Sequence, residues 1–181
     1  LKAKLRLPVM AGPMFIASTA ELVIAQCRAG IIGAMPALNP RTVEALDADI
    51  AKIRQELEHT PIPYAINLVA HRSNDRMQDE LKVIIKHRVP IVVLALGMSP
   101  EIVDAIHGYG GLVFNDVISD KHARKCAQAN VDGIIAVCAG AGGHAGMVSP
   151  FALVREIRSF FDGTIILSGA MSSGADVFAA L

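Results

Sequence analysis

The sequence predicts an α/β protein of the (β/α)8 TIM-barrel class, truncated after about seven βα units, and three observations predict it. First, seven short apolar runs begin at residues 8, 31, 62, 91, 112, 133 and 164, a regular recurrence every 21–31 residues. Second, each run is continuous and does not alternate, which is how strands buried on both faces read. Third, the stretches between runs carry helical periodicity, and strands alternating with helices argue for a parallel sheet covered by helices. An open doubly wound sheet would satisfy the same spacing. A barrel takes about 250 residues and eight strands, whereas the chain has 181 residues.

Taken in order, the expected strands are 8–12, 31–36, 62–68, 91–96, 112–117, 133–138 and 164–167. Gly12 and Pro13 end the first run, and loops rich in Gly, Pro or Asn follow the others. Residues 41–58 set Val43, Leu46, Ile50, Ile53 and Leu57 on one face at three- and four-residue steps. Residues 74–87 do the same with Met77, Leu81, Ile84 and Ile85. Ser99-Pro100-Glu101 reads as an N-cap with proline at the first helical position, and Ser149-Pro150 repeats the device. Gly30 and Gly108 sit where C-terminal glycines belong. The last helical stretch, 172–181, runs to Leu181 with no C-cap and reads as cut, so a final strand and helix are expected to be missing. No linker or composition shift marks a second domain, and residues 1–181 are expected to form one domain, incomplete at its C-terminus.

Composition excludes several functions. Seventeen basic residues balance seventeen acidic ones, leaving no electrostatic footprint for nucleic acid or an anionic membrane. A hydrophobic fraction of 52% with no net charge is not that of a disordered chain. Cys27, Cys126 and Cys138 are odd in number and widely spaced, which gives neither a disulfide framework nor a zinc motif and suits a reducing, cytoplasmic compartment. Lys2, Lys4 and Arg6 precede an apolar stretch in the manner of a signal peptide, but Gly12 and Pro13 cut it. No apolar run reaches the roughly 18 residues of a membrane-spanning helix.

In both α/β architectures ligands bind at the carboxyl ends of the strands. Residues there include Gly12, Pro13 and Met14, Asn39, Asn67, Asn115 and Asp116, then Gly140, Gly142, Gly143, His144 and Gly146, and finally Ser168, Gly169 and Ala170. No paired carboxylates, HExxH or nucleophile elbow occurs among them. Four glycines in residues 140–146 let main chain approach a ligand, and His144 brings a ring that titrates near neutral pH. A flexible loop with a solvated histidine is the plainer alternative. The other histidines, His59, His71, His87, His107 and His122, read as surface residues. Residues 140–145 also satisfy a loose GxGxxA dinucleotide pattern, yet the helix signalled by Ser149-Pro150 starts too late for it. Asn67 offers donor and acceptor to a planar heterocycle, or simply ends its strand. Ser168 and Gly169 lie where barrels often hold phosphate. The cysteines read as packing residues. Met10, Met14 and Met35 read as core or as an apolar pocket lining.

Residues 8–14, 65–68, 139–146 and 168–170 resemble the nitronate monooxygenase family, formerly 2-nitropropane dioxygenases, and more distantly the FMN-dependent enoyl-acyl-carrier-protein reductases. The most specific part runs from Val131-Asp132-Gly133 through the glycine-histidine loop to Ser149-Pro150-Phe151. The resemblance implies an enzyme with FMN on a (β/α)8 barrel. Gly12, Pro13, Met14 and Asn67 would contact the isoalloxazine ring, Gly142 and Gly143 would approach it, and Ser168, Gly169 and Ala170 would hold part of its phosphate. His144 would be the catalytic histidine, as base or substrate-orienting group. The implied reaction is oxidation of an alkyl nitronate or nitroalkane by O2 to a carbonyl compound and nitrite. An NAD(P)H-dependent flavin reductase acting on an enoyl thioester or quinone is the alternative. The resemblance leaves a homo-oligomer open. Asp116 stands where some members carry a lysine against the flavin, and the eighth strand with its phosphate loop is absent. The isolated chain is therefore expected to bind FMN weakly or not at all.

Overall fold

Strands and helices alternate throughout the computed structural model of the chain, which describes residues 2–143 and 145–181. The strands are β1 Ala34–Pro36, β2 Ala65–Val69, β3 Ile91–Ala95, β4 Leu112–Val117, β5 Gly133–Val137 and β6 Thr164–Ser168. The helices are α1 Ala20–Arg28, α2 Val43–Glu56, α3 Met77–His87, α4 Pro100–His107, α5 Asp120–Gln128, α6 Pro150–Arg158 and α7 Gly174–Ala179. All strand pairs are parallel, and the sheet order is β1-β2-β3-β4-β5-β6. A doubly wound sheet reverses its order partway, whereas a barrel adds each strand beside the last. The strand order therefore selects the barrel class from the two architectures the spacing allowed.

The first apolar run does not become a strand of this sheet. Met10 makes one parallel bridge to Ile32, flanked by Ala11 N–H to Ile32 O at 2.8 Å and Ile32 N–H to Val9 O at 3.0 Å. Pro8 and Pro13 bracket the segment, and neither has an N–H to extend the ladder. Among the described residues the count is thus six strands and one bridge where seven strands were expected.

The continuous apolar runs are explained by two core layers. Between sheet and helices, Ile66, Leu68, Val92, Leu94, Val113 and Ile134 pack against Leu46, Ile50, Ile53, Ile84, Ile106 and Ile157. On the concave side, Ala65, Ile91, Val93 and Phe114 form a second cluster with Leu112, Ile135 and Ile166 against it. Alternate residues of one strand serve opposite layers, so no position along it tolerates a polar group cheaply. A Cβ on Gly133 would meet the Phe114 ring at 2.7 Å, so the absent side chain makes room for the aromatic plug of the concave layer.

Helix ends follow the capping signals in most places. Thr42 Oγ1 accepts from Ala45 N–H at 3.2 Å, and Ser99 Oγ accepts from Ile102 N–H at 3.4 Å with Pro100 leading the helix. Two expectations need correction. Ser149 precedes α6 but makes no side-chain cap bond. Gly108 is the C-cap of α4 as its position suggests, although it keeps a helical φ of −56° and the left-handed residue is Gly110 at +84°. The chain turns one residue pair later because Gly111 N–H reaches back to Ile106 O. Two histidines are also not surface groups. His87 is buried between α2 and α3 with Nε2 2.7 Å from Asp47 Oδ1, and half-buried His107 lies 2.8 Å from Asp132 Oδ2. Each ring is drawn in by an acid on the neighbouring element, which linear sequence does not reveal. Among the described residues no helix is long and apolar enough to cross a membrane.

Candidate functional site

Parallel strands in barrel order leave all their carboxyl ends on one face, and the loops that follow them build the site. The structure brings two of the predicted segments together directly. Cys138 N–H donates to Ser168 O at 2.8 Å, and Ala170 N–H donates to Gly140 O at 3.0 Å. The loop after β5 and the loop after β6 are therefore extended side by side beyond their strands. Gly140, Gly143 and Gly169 have φ of +87°, +72° and +141°, and Ala170 has +54°. A Cβ on Gly169 would stand 2.9 Å from Ala139 O, so glycine is what lets the two backbones meet. Gly142 and Gly143 are exposed, with open space where a Cβ would be. Left-handed turns of this kind aim successive backbone N–H groups outward and make concavities suited to anions.

The same loop is tied off behind. Gly146 N–H donates to Val137 O at 3.2 Å and Ala139 N–H to Val148 O at 3.0 Å, and a Cβ on Gly146 would collide with Val137 O at 2.5 Å. His144, the predicted catalytic residue, lies outside the described residues.

Gly12, Pro13 and Met14 occupy the loop after the Met10 bridge. Gly12 faces open space, and Met14 is half-exposed beside Phe15 and Ile16. This loop is held by residues to which sequence reasoning gave no role. Buried Ser18 accepts from Met14 N–H at 2.9 Å, and Asn39 accepts from Ile16 N–H while donating to Met14 O and Ser18 O. Asn39 thus fixes the loop after the bridge to the loop after β1. Of the three methionines, Met35 is core, Met10 packs on the concave cluster, and Met14 alone is open at this face.

Asn67 lies near the end of β2, with Ala65 of the concave cluster two positions earlier and Ile66 in the opposite layer. Its Nδ2 donates to Val93 O at 3.2 Å, so one amide hydrogen anchors it to β3. Next to it, a buried network sets the loops after β1 and β2. Glu80 Oε2 accepts from Asn74 Nδ2 at 2.8 Å, and Arg76 bonds Pro40 O and Arg41 O. Arg76 Nη2 stands 3.1 Å from Glu80 Oε1 as an ion pair whose angle falls short of a hydrogen bond. In sequence an Arg and a Glu four apart are indistinguishable from a solvated helical pair. That Glu80 is fully buried comes from the strand it underpins.

Asp116, near the end of β4, is half-buried with its Oδ1 enclosed, and desolvation pushes its carboxyl up to about 6. Cys27, Cys126 and Cys138 are buried free thiols, and burial pushes each of them up, Cys126 to about 11. None has the lowered pKa of a reactive cysteine. The cleft lined by Arg54, Tyr64, Pro90 and Leu112 opens at the opposite, amino-terminal ends of the strands and includes none of the predicted residues.

Known proteins resemble the chain along most of its length. The sequence profile of nitronate monooxygenase matches residues 43–181. The (3aS,4S,5R,7aS)-5-hydroxy-7a-methyl-1-oxo-octahydro-1H-indene-4-carboxyl-CoA dehydrogenase of Mycobacterium tuberculosis is 27% identical over 177 residues, covering 96% of this chain and 48% of that protein. The nitronate monooxygenase of Neurospora crassa is 34% identical over 99 residues, 48% of this chain and 25% of its own length. Among solved structures, FabK from Thermotoga maritima superposes with a TM-score of 0.83 at 28% identity, over 97% of this chain and 55% of that one. The chain spans about half the length of the relatives it matches from end to end.

Proposed function

The chain belongs to the nitronate monooxygenase family, and from that membership we propose that it carries the FMN-binding face of an oxidoreductase converting an alkyl nitronate and O2 to a carbonyl compound and nitrite. The observation that carries the reading is the pairing of the glycine loop after β5 with the Ser168-Gly169-Ala170 loop after β6. The residues present fit a planar, phosphate-bearing cofactor. Gly142 and Gly143 offer bare main chain where a side chain would intrude, and Gly169 brings main chain without a side chain beside Ser168. Gly12, Pro13, Met14 and Asn67 would approach the ring from the loops after the bridge and β2. FMN supplies the electron transfer when bound.

The chain's own part is placement and proton handling. Asn39 and Ser18 hold the Met14 loop still, and Asn67 keeps Oδ1 and its second amide hydrogen for a ligand. His144 acts as base or substrate-orienting group. A second reading has its own support, because the Mycobacterium tuberculosis relative, a CoA-thioester dehydrogenase by name, matches almost the entire chain. In that case the same face would serve an NAD(P)H-dependent reductase. The two separate kinetically. Purified full-length protein should show flavin absorbance and release nitrite when a nitronate is added under air without NAD(P)H. Rapid flavin bleaching by NAD(P)H with no nitrite would establish the reductase instead, and a colourless protein that takes up no FMN would overturn both. His144→Ala should lower turnover by about 10²–10⁴-fold, the usual worth of a lost acid–base group, with flavin content unchanged.

A further inference from the structure

Asp116 differs from the other acids that this fold draws inward. Glu80 is answered by Asn74, Asp132 by His107 and the Val113 N–H, and Asp47 by His87 and Lys86. Asp116 Oδ1 is buried with no hydrogen-bond partner among the described residues, and the one hydrogen bond its carboxyl feels comes from its own backbone N–H. Its direction follows from the register. Asp116 lies opposite Ile135 of β5, which packs on the concave cluster, and Phe114 two residues earlier belongs to that cluster. Val113 and Val117 serve the helix-side layer. The carboxyl is therefore on the concave side, near the carboxyl end of β4, two strands from Ser168.

We infer that Asp116 is a ligand-facing residue of this site, the acceptor for an N–H or O–H donor on the bound molecule, and no part of the fold's own polar framework. The flavin reading above supplies only the identity of that molecule, for which FMN, with its ring N–H and ribityl hydroxyls, offers donors of the right kind.

Among the described residues nothing else answers the charge. From β5 the facing residue is Ile135, and the one titratable group coupled to Asp116 is the Cys126 thiol of α5. Cys126 is itself pushed up by burial and stays neutral. An unanswered carboxylate weakens the empty fold. Because its folded value is raised from 3.8 to about 6, its full contribution is present below pH 3.8 and is lost as pH rises through about 6. The loss approaches a hundredfold in the folding equilibrium, about two pKa units. A residue kept at that disadvantage fits a role in binding.

The test compares wild-type full-length protein with D116N and D116L in two measurements. Denaturant unfolding without cofactor should show both variants more stable at pH 8, by up to about a hundredfold in the unfolding constant, with the advantage gone near pH 4. FMN titration followed by fluorescence quenching should show D116L binding about 10–100-fold more weakly, and D116N, which keeps an acceptor oxygen, less so. Variants less stable than wild type at pH 8 would make Asp116 a framework residue and overturn the inference. So would stabilised variants that bind FMN as tightly as wild type. Should wild type bind no FMN at all, the flavin reading fails, and stability alone decides: stabilised variants keep Asp116 as the acceptor for another ligand, destabilised ones remove it.

Discussion

Strands β3 and β6 have the same length and nearly the same chemistry, Ile-Val-Val-Leu-Ala against Thr-Ile-Ile-Leu-Ser, yet they live in different surroundings. Every residue of β3 is buried, whereas β6 begins exposed and stays half-buried to its end. The difference is position. β3 is paired on both edges and roofed by helices, while β6 pairs with β5 alone among the described residues and is followed by α7, which buries nothing. Burial here is decided by how many neighbours the topology gives a strand, not by how apolar the strand is.

The sharpest way to break this comparison is a matched pair of truncations. Leu94→Ala in β3 should cost about 3 kcal/mol, the usual worth of a fully buried leucine with a cavity left behind. Leu167→Ala in half-buried β6 should cost about 1 kcal/mol. Denaturant melts giving equal losses would show that β6 is as tightly held as β3. Next in size, Gly169→Ala puts a Cβ 2.9 Å from Ala139 O at a φ of +141°. It should cost about 2 kcal/mol through strain and contact, and FMN affinity should fall with it. An unchanged affinity would separate the loop pairing from cofactor binding.

The smallest expected effect concerns the α7 cap. Asp176 accepts from Ser172 and Ser173, which holds its carboxyl below the usual range. A lowered folded value means that the cap's help is present above the unfolded pKa and fades as pH falls through the folded one. Amide exchange in α7, corrected for intrinsic rates, should therefore quicken a few-fold in acid while α6, which has no acidic residue in its first turn, does not. Equal behaviour of the two helices would remove the carboxylate from the account.

These contrasts also mark what the sequence made legible. The run at 112–117 coincides with β4 and the run at 91–96 exceeds β3 by one residue, because both strands are buried on two faces and their ends coincide with the change in composition. The run at 8–12 looked like the others and became a bridge, since two prolines remove donors that only a ladder count exposes. At the site, glycines at 140, 142, 143 and 169 announced a backbone-lined loop. The same positions say nothing of Asn39, Ser18 or Glu80, whose importance comes from partners 21 to 25 residues away or from burial. His87 and His107 read as surface residues for the same reason. Their acids lie 40 and 25 residues distant, and a charged residue at that separation carries no local signature.

The sequential strand order has one more consequence. Each new strand closes a loop only about one βα unit long, so the entropy of bringing partners together is nearly the same small toll at every step. The sheet can therefore grow outward as the polypeptide leaves the ribosome, each unit templated by the one just made, without waiting for a remote segment to arrive. A nascent chain of this topology already has its first strands in place while the loops after β5 and β6 are still being synthesised.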